Sequence, residues 1–212
     1  MKTDSLQSPL AGRGHWVFDM DGTLTVAAHD FDAIRSELGV PAGKPLLETL
    51  ATLPAEEAER ANQRLAEIEL EIAANAVAQE GAAELLAHLR EGGRNIGILT
   101  RNTAPAARET LVAAGLMPYF DDGAIVARET CAPKPDPAGV HHLLRHWKAT
   151  AAAAVVVGDY LYDLQAGRAA EVTTVHFDVT GRFPWPQFAD YAAGHLRQLL
   201  APAGGSGPGA GA

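Results

Sequence analysis

Short apolar runs rich in β-branched residues alternate with amphipathic stretches along most of the chain. Five runs predict β-strands, at residues 15–18, 95–99, 124–127, 153–157 and 172–177. Helical patterns separate them, at residues 81–92, 103–115, 136–148 and 161–170. Strands that alternate with helices indicate βαβ units, so the pattern predicts an α/β fold with a parallel, Rossmann-like sheet.

The stretch between the first two predicted strands shows no strand pattern and is helical in character. Residues 55–77 follow Pro54 and begin with glutamates, both typical of a helix N-terminus, and they carry an apolar stripe at helical spacing. We therefore predict a small all-α cap at residues 28–78, inserted into a discontinuous α/β core of residues 1–27 and 79–200. Because ligands bind at the carboxyl ends of the strands in open α/β sheets, such a cap is expected to cover the site.

Composition and charge restrict the class of protein. The net charge of −9 argues against nucleic acid as the main partner, because phosphate backbones bind clustered Lys and Arg. No apolar run reaches the roughly 20 residues of a membrane span, so no membrane partner is expected. The single cysteine, Cys131, excludes a disulfide framework within the chain and favours a cytoplasmic protein. Residues 201–212 are predicted to be a disordered tail, and no oligomeric state is predicted.

Polar residues follow four of the predicted strands, at or soon after the point where each strand ends. They are Asp19 and Asp21 in FDMDGTLT, Thr100, Arg101 and Asn102 in ILTRN, Lys134 in APKPDP, and Asp159 and Asp163 in VVVGDYLYD. Because the carboxyl ends of parallel strands meet at one edge of the sheet, we expect these side chains to converge on one crevice.

Such a cluster of carboxylates needs a positive charge beside it. Two carboxylates about 4 Å apart near a protein surface repel by about 4 kcal/mol at an effective dielectric of about 20, against a total stability of about 5–15 kcal/mol. Oxygen ligands without His or Cys suit Mg²⁺. Carboxylates, Mg²⁺, a lysine and a hydroxyl together can hold a phosphoryl group. The Gly-rich loop of P-loop nucleotide-binding proteins is missing from the sequence, so ATP is not indicated.

The four motifs together resemble the haloacid-dehalogenase-like hydrolase superfamily, in particular its phosphoglycolate-phosphatase-like branch with a helical cap after the first strand. FDMDGTLT is similar to the first motif, Thr100 to the second, Lys134 to the third and GDYLYD to the fourth, and the resemblance spans residues 14–180. It implies a Mg²⁺-dependent phosphatase that hydrolyses a small phosphorylated metabolite, a phosphomonoester, through an aspartyl-phosphate intermediate.

The resemblance also implies a role for each motif residue. Asp19 would be the nucleophile, and Asp21 the general acid and then the general base. Mg²⁺ would bind the Asp19 carboxylate, the Asp21 backbone carbonyl and Asp159. The phosphoryl oxygens would be held by Thr100, Arg101, Asn102 and Lys134, although the sequence leaves open whether Arg101 points to substrate or to the surface. Support from outside the direct ligands would come from Asp163, Gly22 and Thr23.

Several functions on the same fold compete with a phosphatase. In this superfamily a dehalogenase lacks the second aspartate, so Asp21 argues against halide displacement. A phosphomutase, or a phosphonoacetaldehyde hydrolase that uses a cap lysine, remains an alternative, and Lys44 is the one lysine between residues 28 and 80. A catalytically silent binding protein is the fourth possibility. His29, Arg35 and Lys44 are candidates for substrate contacts from the cap.

Overall fold

Six parallel strands form a single sheet in the computed structural model, which describes Leu10 and residues 12–200. The strands are β1 (His15–Phe18), β2 (Asn95–Leu99), β3 (Ile125–Val126), β4 (Ala154–Gly158), β5 (Thr173–Phe177) and β6 (Tyr191–Ala193). Their order, β3-β2-β1-β4-β5-β6, places β1 and β4 at the centre. The predicted α/β fold with a parallel sheet is confirmed. Strand β6 was not predicted, because its three residues, Tyr191–Ala193, include no β-branched side chain.

Seven α-helices lie within the described residues. They are α1 (Phe31–Glu37), α2 (Leu46–Leu50), α3 (Ala55–Ala73), α4 (Ala82–Glu91), α5 (Ala104–Ala113), α6 (Ala138–Trp147) and α7 (Leu161–Ala169). Helices α4 and α5 cover one face of the sheet, and α6 and α7 cover the other. In this part of the chain no helix is both long and apolar enough to cross a membrane.

Alternate residues of the central strands supply two separate cores. In β1, Trp16 and Phe18 pack under α4 and α5, whereas Val17 packs under α6 and α7. In β4, Val155 and Val156 divide in the same way between the two faces. Because both faces are covered, every position of these strands can be apolar, which explains the uninterrupted valines of β4.

The helices α1 to α3 form an insert between β1 and α4. Their apolar side chains make a cluster of their own, built from Ile34, Val40, Leu50, Leu65 and Ile68. The segments that lead into and out of the insert run side by side. The Val26 N–H donates to the Val77 carbonyl at 2.9 Å, and the Gln79 N–H donates to the Leu24 carbonyl at 2.8 Å. Division of the chain at residues 28–78 stays a prediction, and the predicted tail at 201–212 lies outside the described residues.

The register of the central strands aligns their carboxyl ends. Phe18, the last residue of β1, lies opposite Ile98 of β2 and Val157 of β4. The next residue, Asp19, donates its backbone N–H to the Val157 carbonyl at 2.9 Å. The motif residues that follow β1, β2 and β4 therefore leave the sheet at one edge.

Gly97 in β2 tests how tightly α6 packs on the sheet. A Cβ atom at this position would lie 2.8 Å from the Trp147 ring and 2.9 Å from Leu143. We expect Gly97→Ala to lower the free energy of unfolding by about 1–3 kcal/mol through overpacking, measured by urea denaturation. Gly14→Ala is the control, because a Cβ there meets nothing within 4 Å. Equal stabilities of the two variants would contradict the close packing.

Candidate active site

Three carboxylates meet at the carboxyl edge of the sheet. Asp19 follows β1, Asp159 follows β4 and Asp163 lies in the first turn of α7, and oxygens of all three lie within 4.8 Å of one another. Burial, and then the charges of Asp19 and Asp163, raise the pKa of Asp159 to about 9. Burial and the charge of Asp19 likewise raise the pKa of Asp163 to about 6. The cluster is therefore short of positive charge.

Lys134 is the cation within this cluster. Its side chain is buried, and Nζ forms ion pairs with both Asp19 and Asp163. Burial lowers the pKa of Lys134, but the two carboxylates outweigh burial and raise it above its ordinary value. The lysine is therefore charged, and it also holds the two aspartates at fixed positions.

The Asp21 carboxylate has surroundings different from those of Asp19. Asn102 donates from Nδ2 to Asp21 Oδ2 at 2.8 Å, and His29 Nδ1 lies 3.7 Å from Asp21 Oδ1. Burial and the nearby charge of Asp19 raise the pKa of Asp21 to about 7. The Asn102 backbone N–H donates to Thr100 Oγ1 at 3.1 Å. Asn102, predicted to contact the phosphoryl group, therefore orients Asp21 in this structure.

Gly22 and Thr23 shape the turn below the cluster. Gly22 has a φ of +83°, and a Cβ atom there would lie 2.2 Å from Asp159 Oδ2. Glycine therefore serves both the left-handed backbone and the close approach of Asp159. Thr23 Oγ1 lies 3.5 Å from Asp19 Oδ2 and 3.5 Å from Asp159 Oδ1, so its hydroxyl faces two members of the cluster.

Arg101 connects the insert to the core. Its Nη2 donates to both carboxylate oxygens of Glu48 in α2, at 2.8 and 2.9 Å. Nη1 donates to the Lys134 carbonyl, and the guanidinium lies 4.9 Å from the centre of the Tyr162 ring. The direction of Arg101, which the sequence left open, is therefore towards the insert and the Lys134 loop. Its predicted contact with the phosphoryl group stays a prediction.

Glu69 in α3 makes a second link, which the sequence analysis missed. Its buried carboxylate pairs with Arg128 and accepts a hydrogen bond from the Thr103 backbone N–H at 3.1 Å, at the start of α5. Burial raises the pKa of Glu69, and Arg128 partly offsets this. The available signal was a glutamate four residues after Leu65 on the apolar stripe of the helix, where a carboxylate needs a partner.

The donor set of the cluster fits a divalent cation of the Mg²⁺ type. Three carboxylates with oxygens within 4.8 Å of one another are hard ligands, and neither His nor Cys belongs to the group. The raised pKa of Asp159 shows that an additional positive charge would be stabilised here. Asp163, predicted to support the ligands from outside, contributes an oxygen to the same cluster.

A cavity of about 420 Å³ lies between the insert and the carboxyl edge of the sheet. Its core side includes all the predicted catalytic, phosphate-binding and metal-binding residues: Asp19, Asp21, Thr100, Arg101, Asn102, Lys134 and Asp159. The insert contributes His29, Arg35 and Lys44, and the apolar side chains Phe31, Ile34, Leu46, Leu47 and Leu65. The structure therefore brings the predicted residues together around one cavity.

Comparison with known families agrees with this arrangement. The family described as haloacid dehalogenase-like hydrolase matches residues 32–177. The chain belongs to this family. This chain is similar to the uncharacterized hydrolase YOR131C of Saccharomyces cerevisiae, with 32% identity over 75% of this chain and 74% of that protein. It is also similar to "Probable phosphatase IndB" of Dickeya dadantii, with 31% identity over 73% of this chain and 78% of that protein.

Solved structures show the same fold. The structure of a hydrolase from Pseudomonas syringae superposes on this structure with a TM-score of 0.74, over 89% of this chain and 96% of that chain. The sequence identity is 24%, so this likeness is evidence of the fold and not of a shared substrate.

The buried ion pair between Glu69 and Arg128 is expected to hold the insert of this hydrolase on its core. We expect Arg128→Met to lower the free energy of unfolding by about 3 kcal/mol, because it leaves a buried carboxylate without its cation. Arg60→Met is the control, because Arg60 pairs with Glu56 on an exposed helix face, where such pairs contribute less than about 0.5 kcal/mol. Urea unfolding measures both, and similar losses would contradict a role for burial.

Proposed function

We propose that this hydrolase removes phosphate from a small phosphomonoester through an aspartyl-phosphate intermediate. The observation that carries the proposal is the difference between two aspartates two residues apart. Asp19 is paired with the charged Lys134, whereas the pKa of Asp21 is raised to about 7. One aspartate is suited to nucleophilic attack and the other to proton transfer near neutral pH. The phosphatase named among the relatives supports the same reaction class.

The first step forms a bond between a carboxylate oxygen of Asp19 and the substrate phosphorus. As this bond forms, the bond from phosphorus to the ester oxygen breaks, and protonated Asp21 donates its proton to the departing oxygen. Lys134 and Thr100, both lining the cavity, would hold the non-bridging oxygens as negative charge develops there. The hydrogen bond from Asn102 would keep Asp21 in place for the transfer.

The second step hydrolyses the aspartyl phosphate. Asp21, now a carboxylate, takes a proton from a water molecule, and the water oxygen attacks phosphorus. The bond from phosphorus to the Asp19 oxygen then breaks, which releases inorganic phosphate and restores the Asp19 carboxylate and protonated Asp21. The same residue thus acts as acid and then as base, so the enzyme returns to its starting state.

Mg²⁺ is the proposed cofactor, held by Asp19, Asp159, the Asp21 backbone carbonyl and, in addition to the sequence prediction, Asp163. When bound, it would offset the carboxylate charges and stabilise negative charge on the phosphoryl oxygens. We also propose a cytoplasmic location, because the sequence has a single cysteine and so no disulfide within the chain. That cysteine, Cys131, has no role in the proposed reaction.

Phosphonoacetaldehyde hydrolase is the alternative that one observation favours, because Lys44 lines the cavity. However, the Lys44 side chain is exposed. An amine that attacks a carbonyl must lose its proton, which burial promotes, so an exposed lysine is poorly suited to this role. We therefore place phosphate-ester hydrolysis first.

Removal of the metal tests the proposed cofactor. We expect hydrolysis of p-nitrophenyl phosphate to require Mg²⁺ and to be lost in EDTA, because the cluster would lack the charge that offsets Asp19, Asp159 and Asp163. Release of p-nitrophenolate, followed by absorbance, measures the rate, and excess Mg²⁺ should restore it. Full activity in EDTA would rule out the metal.

Replacement of the nucleophile tests the covalent step. We expect Asp19→Asn to reduce kcat by at least about a thousandfold, because an amide oxygen is a poor nucleophile. Asp122→Asn is the matched control, since Asp122 is exposed, precedes β3 at the amino end of that strand, and pairs with Arg108 outside the cavity. Circular dichroism checks that both variants fold, and a folded Asp19→Asn enzyme with normal turnover would remove this assignment.

A further inference from the structure

Tyr160 is a large aromatic residue of the core that stays exposed at the active site. It directly follows Asp159 in the chain and lines the same cavity. Although most of its ring is apolar, the residue is 50% exposed. Its backbone N–H donates to Asp163 Oδ2 at 3.1 Å, which ties it to the carboxylate cluster. A phosphoryl group bound at Asp19 would therefore lie in the same cavity as this ring.

Two aromatic neighbours hold the Tyr160 ring without covering it. Its ring centre lies 5.1 Å from that of Tyr162, with 89° between the ring planes, and 5.1 Å from that of Trp185, with 77° between the planes. Among the described residues no ring lies parallel to Tyr160 and no cation lies over it. The Tyr162 ring, by contrast, carries the Arg101 guanidinium. Of these two tyrosines, Tyr160 is therefore the one open to a ligand.

Residues behind Tyr160 fix this aromatic group in place. Trp185 lies almost parallel to the fully buried His176 of β5, with ring centres 5.2 Å apart and 27° between the planes. Phe183 packs against the same histidine ring at 5.5 Å, and its backbone N–H donates to Asp178 Oδ2 at 2.9 Å. Because Tyr160 is already ordered by this support, a ligand that stacks on it immobilises little additional side chain.

We propose that the substrate is a phosphomonoester whose leaving group carries a planar unsaturated ring, and that this ring stacks on Tyr160. Offset stacking of two aromatic rings is favourable beyond the apolar area that it buries. A cavity of about 420 Å³ accommodates a phosphate joined to one such ring. This inference rests on the proposed phosphatase function, and it assigns recognition of the leaving group to a residue of the core rather than of the insert.

Two matched substrates test the inference in the presence of Mg²⁺. Benzyl phosphate and cyclohexylmethyl phosphate share a carbon skeleton and both release a primary alcohol, but only the benzyl ring is planar. A merely apolar surface would bind the saturated ring at least as well, because its burial depends on apolar area. We expect kcat/KM to be at least about fivefold higher for benzyl phosphate, as stacking supplies. Equal values, or a preference for the saturated ring, would overturn the proposal.

Variants of the aromatic group locate the preference. Tyr160→Leu should lower the ratio of benzyl to cyclohexylmethyl kcat/KM to about one, whereas Tyr160→Phe should keep it because the ring remains. Trp185 does not line the cavity, so Trp185→Leu acts through Tyr160 and should give an intermediate ratio. Tyr119→Leu is the control, because Tyr119 is a half-buried tyrosine outside the cavity, and it should keep the wild-type ratio. A Tyr160→Leu enzyme with the wild-type ratio, whatever its absolute rate, would overturn the proposal.

A binding measurement separates this inference from the proposed function. Stacking is the same in the bound substrate and in the transition state, so the preference should appear in binding as well as in kcat/KM. Titration calorimetry of Asp19→Asn with the same two compounds gives Kd without turnover. Tighter binding of benzyl phosphate, lost in Asp19→Asn with Tyr160→Leu, supports stacking even if the wild type hydrolyses neither compound. Equal Kd values, together with normal hydrolysis of both, would leave the phosphatase function in place and overturn the stacking.

Discussion

The repulsion among carboxylates at the carboxyl edge of the sheet is the constraint on which the site depends. Parallel pairing aligns the ends of β1 and β4, so the residues after them are brought together whatever their charge. Lys134 offsets part of that repulsion by pairing with Asp19 and Asp163. The repulsion that Lys134 does not offset, together with burial, raises the pKa of Asp159 and Asp21. An arrangement that is costly for folding thus favours binding of a cation and retention of a proton, both of which the proposed reaction uses.

Two ion pairs of different character hold the insert over this edge. The pair between Glu69 and Arg128 is buried, whereas the Glu48 side chain that pairs with Arg101 is 45% exposed. Arg101 follows Thr100, and Arg128 lies just after β3, so both contacts reach the core near strand ends. A movement of the insert over the cavity would therefore act directly on Arg101 and Arg128, next to the strand ends that carry the site.

The sequence was informative where local pattern decides structure. The valines of β4 and the Asp19 motif lie at positions that strand periodicity and motif spacing determine, and the confirmed parallel sheet follows from them. Strand β6 escaped prediction because its pairing depends on long-range contacts, such as Asp190 accepting from the Thr174 N–H at 2.9 Å. Glu69 escaped for the same reason, since Thr103 and Arg128 lie far from it along the chain. No local pattern encodes such partners.

The paired segments on either side of the insert have a consequence for how this chain can diversify. Two backbone hydrogen bonds, Val26 to Val77 and Gln79 to Leu24, close the base of the insert independently of its side chains. The sheet is therefore joined to the insert by a hairpin-like neck, whose backbone hydrogen bonds do not depend on the side chains of the helices beyond it. A change in the length of the helices beyond this neck leaves those two hydrogen bonds, and with them the register of β1, in place. The carboxylate cluster and the residues that the insert adds to the cavity therefore belong to separate stretches of the chain, and the backbone joins them only at this neck.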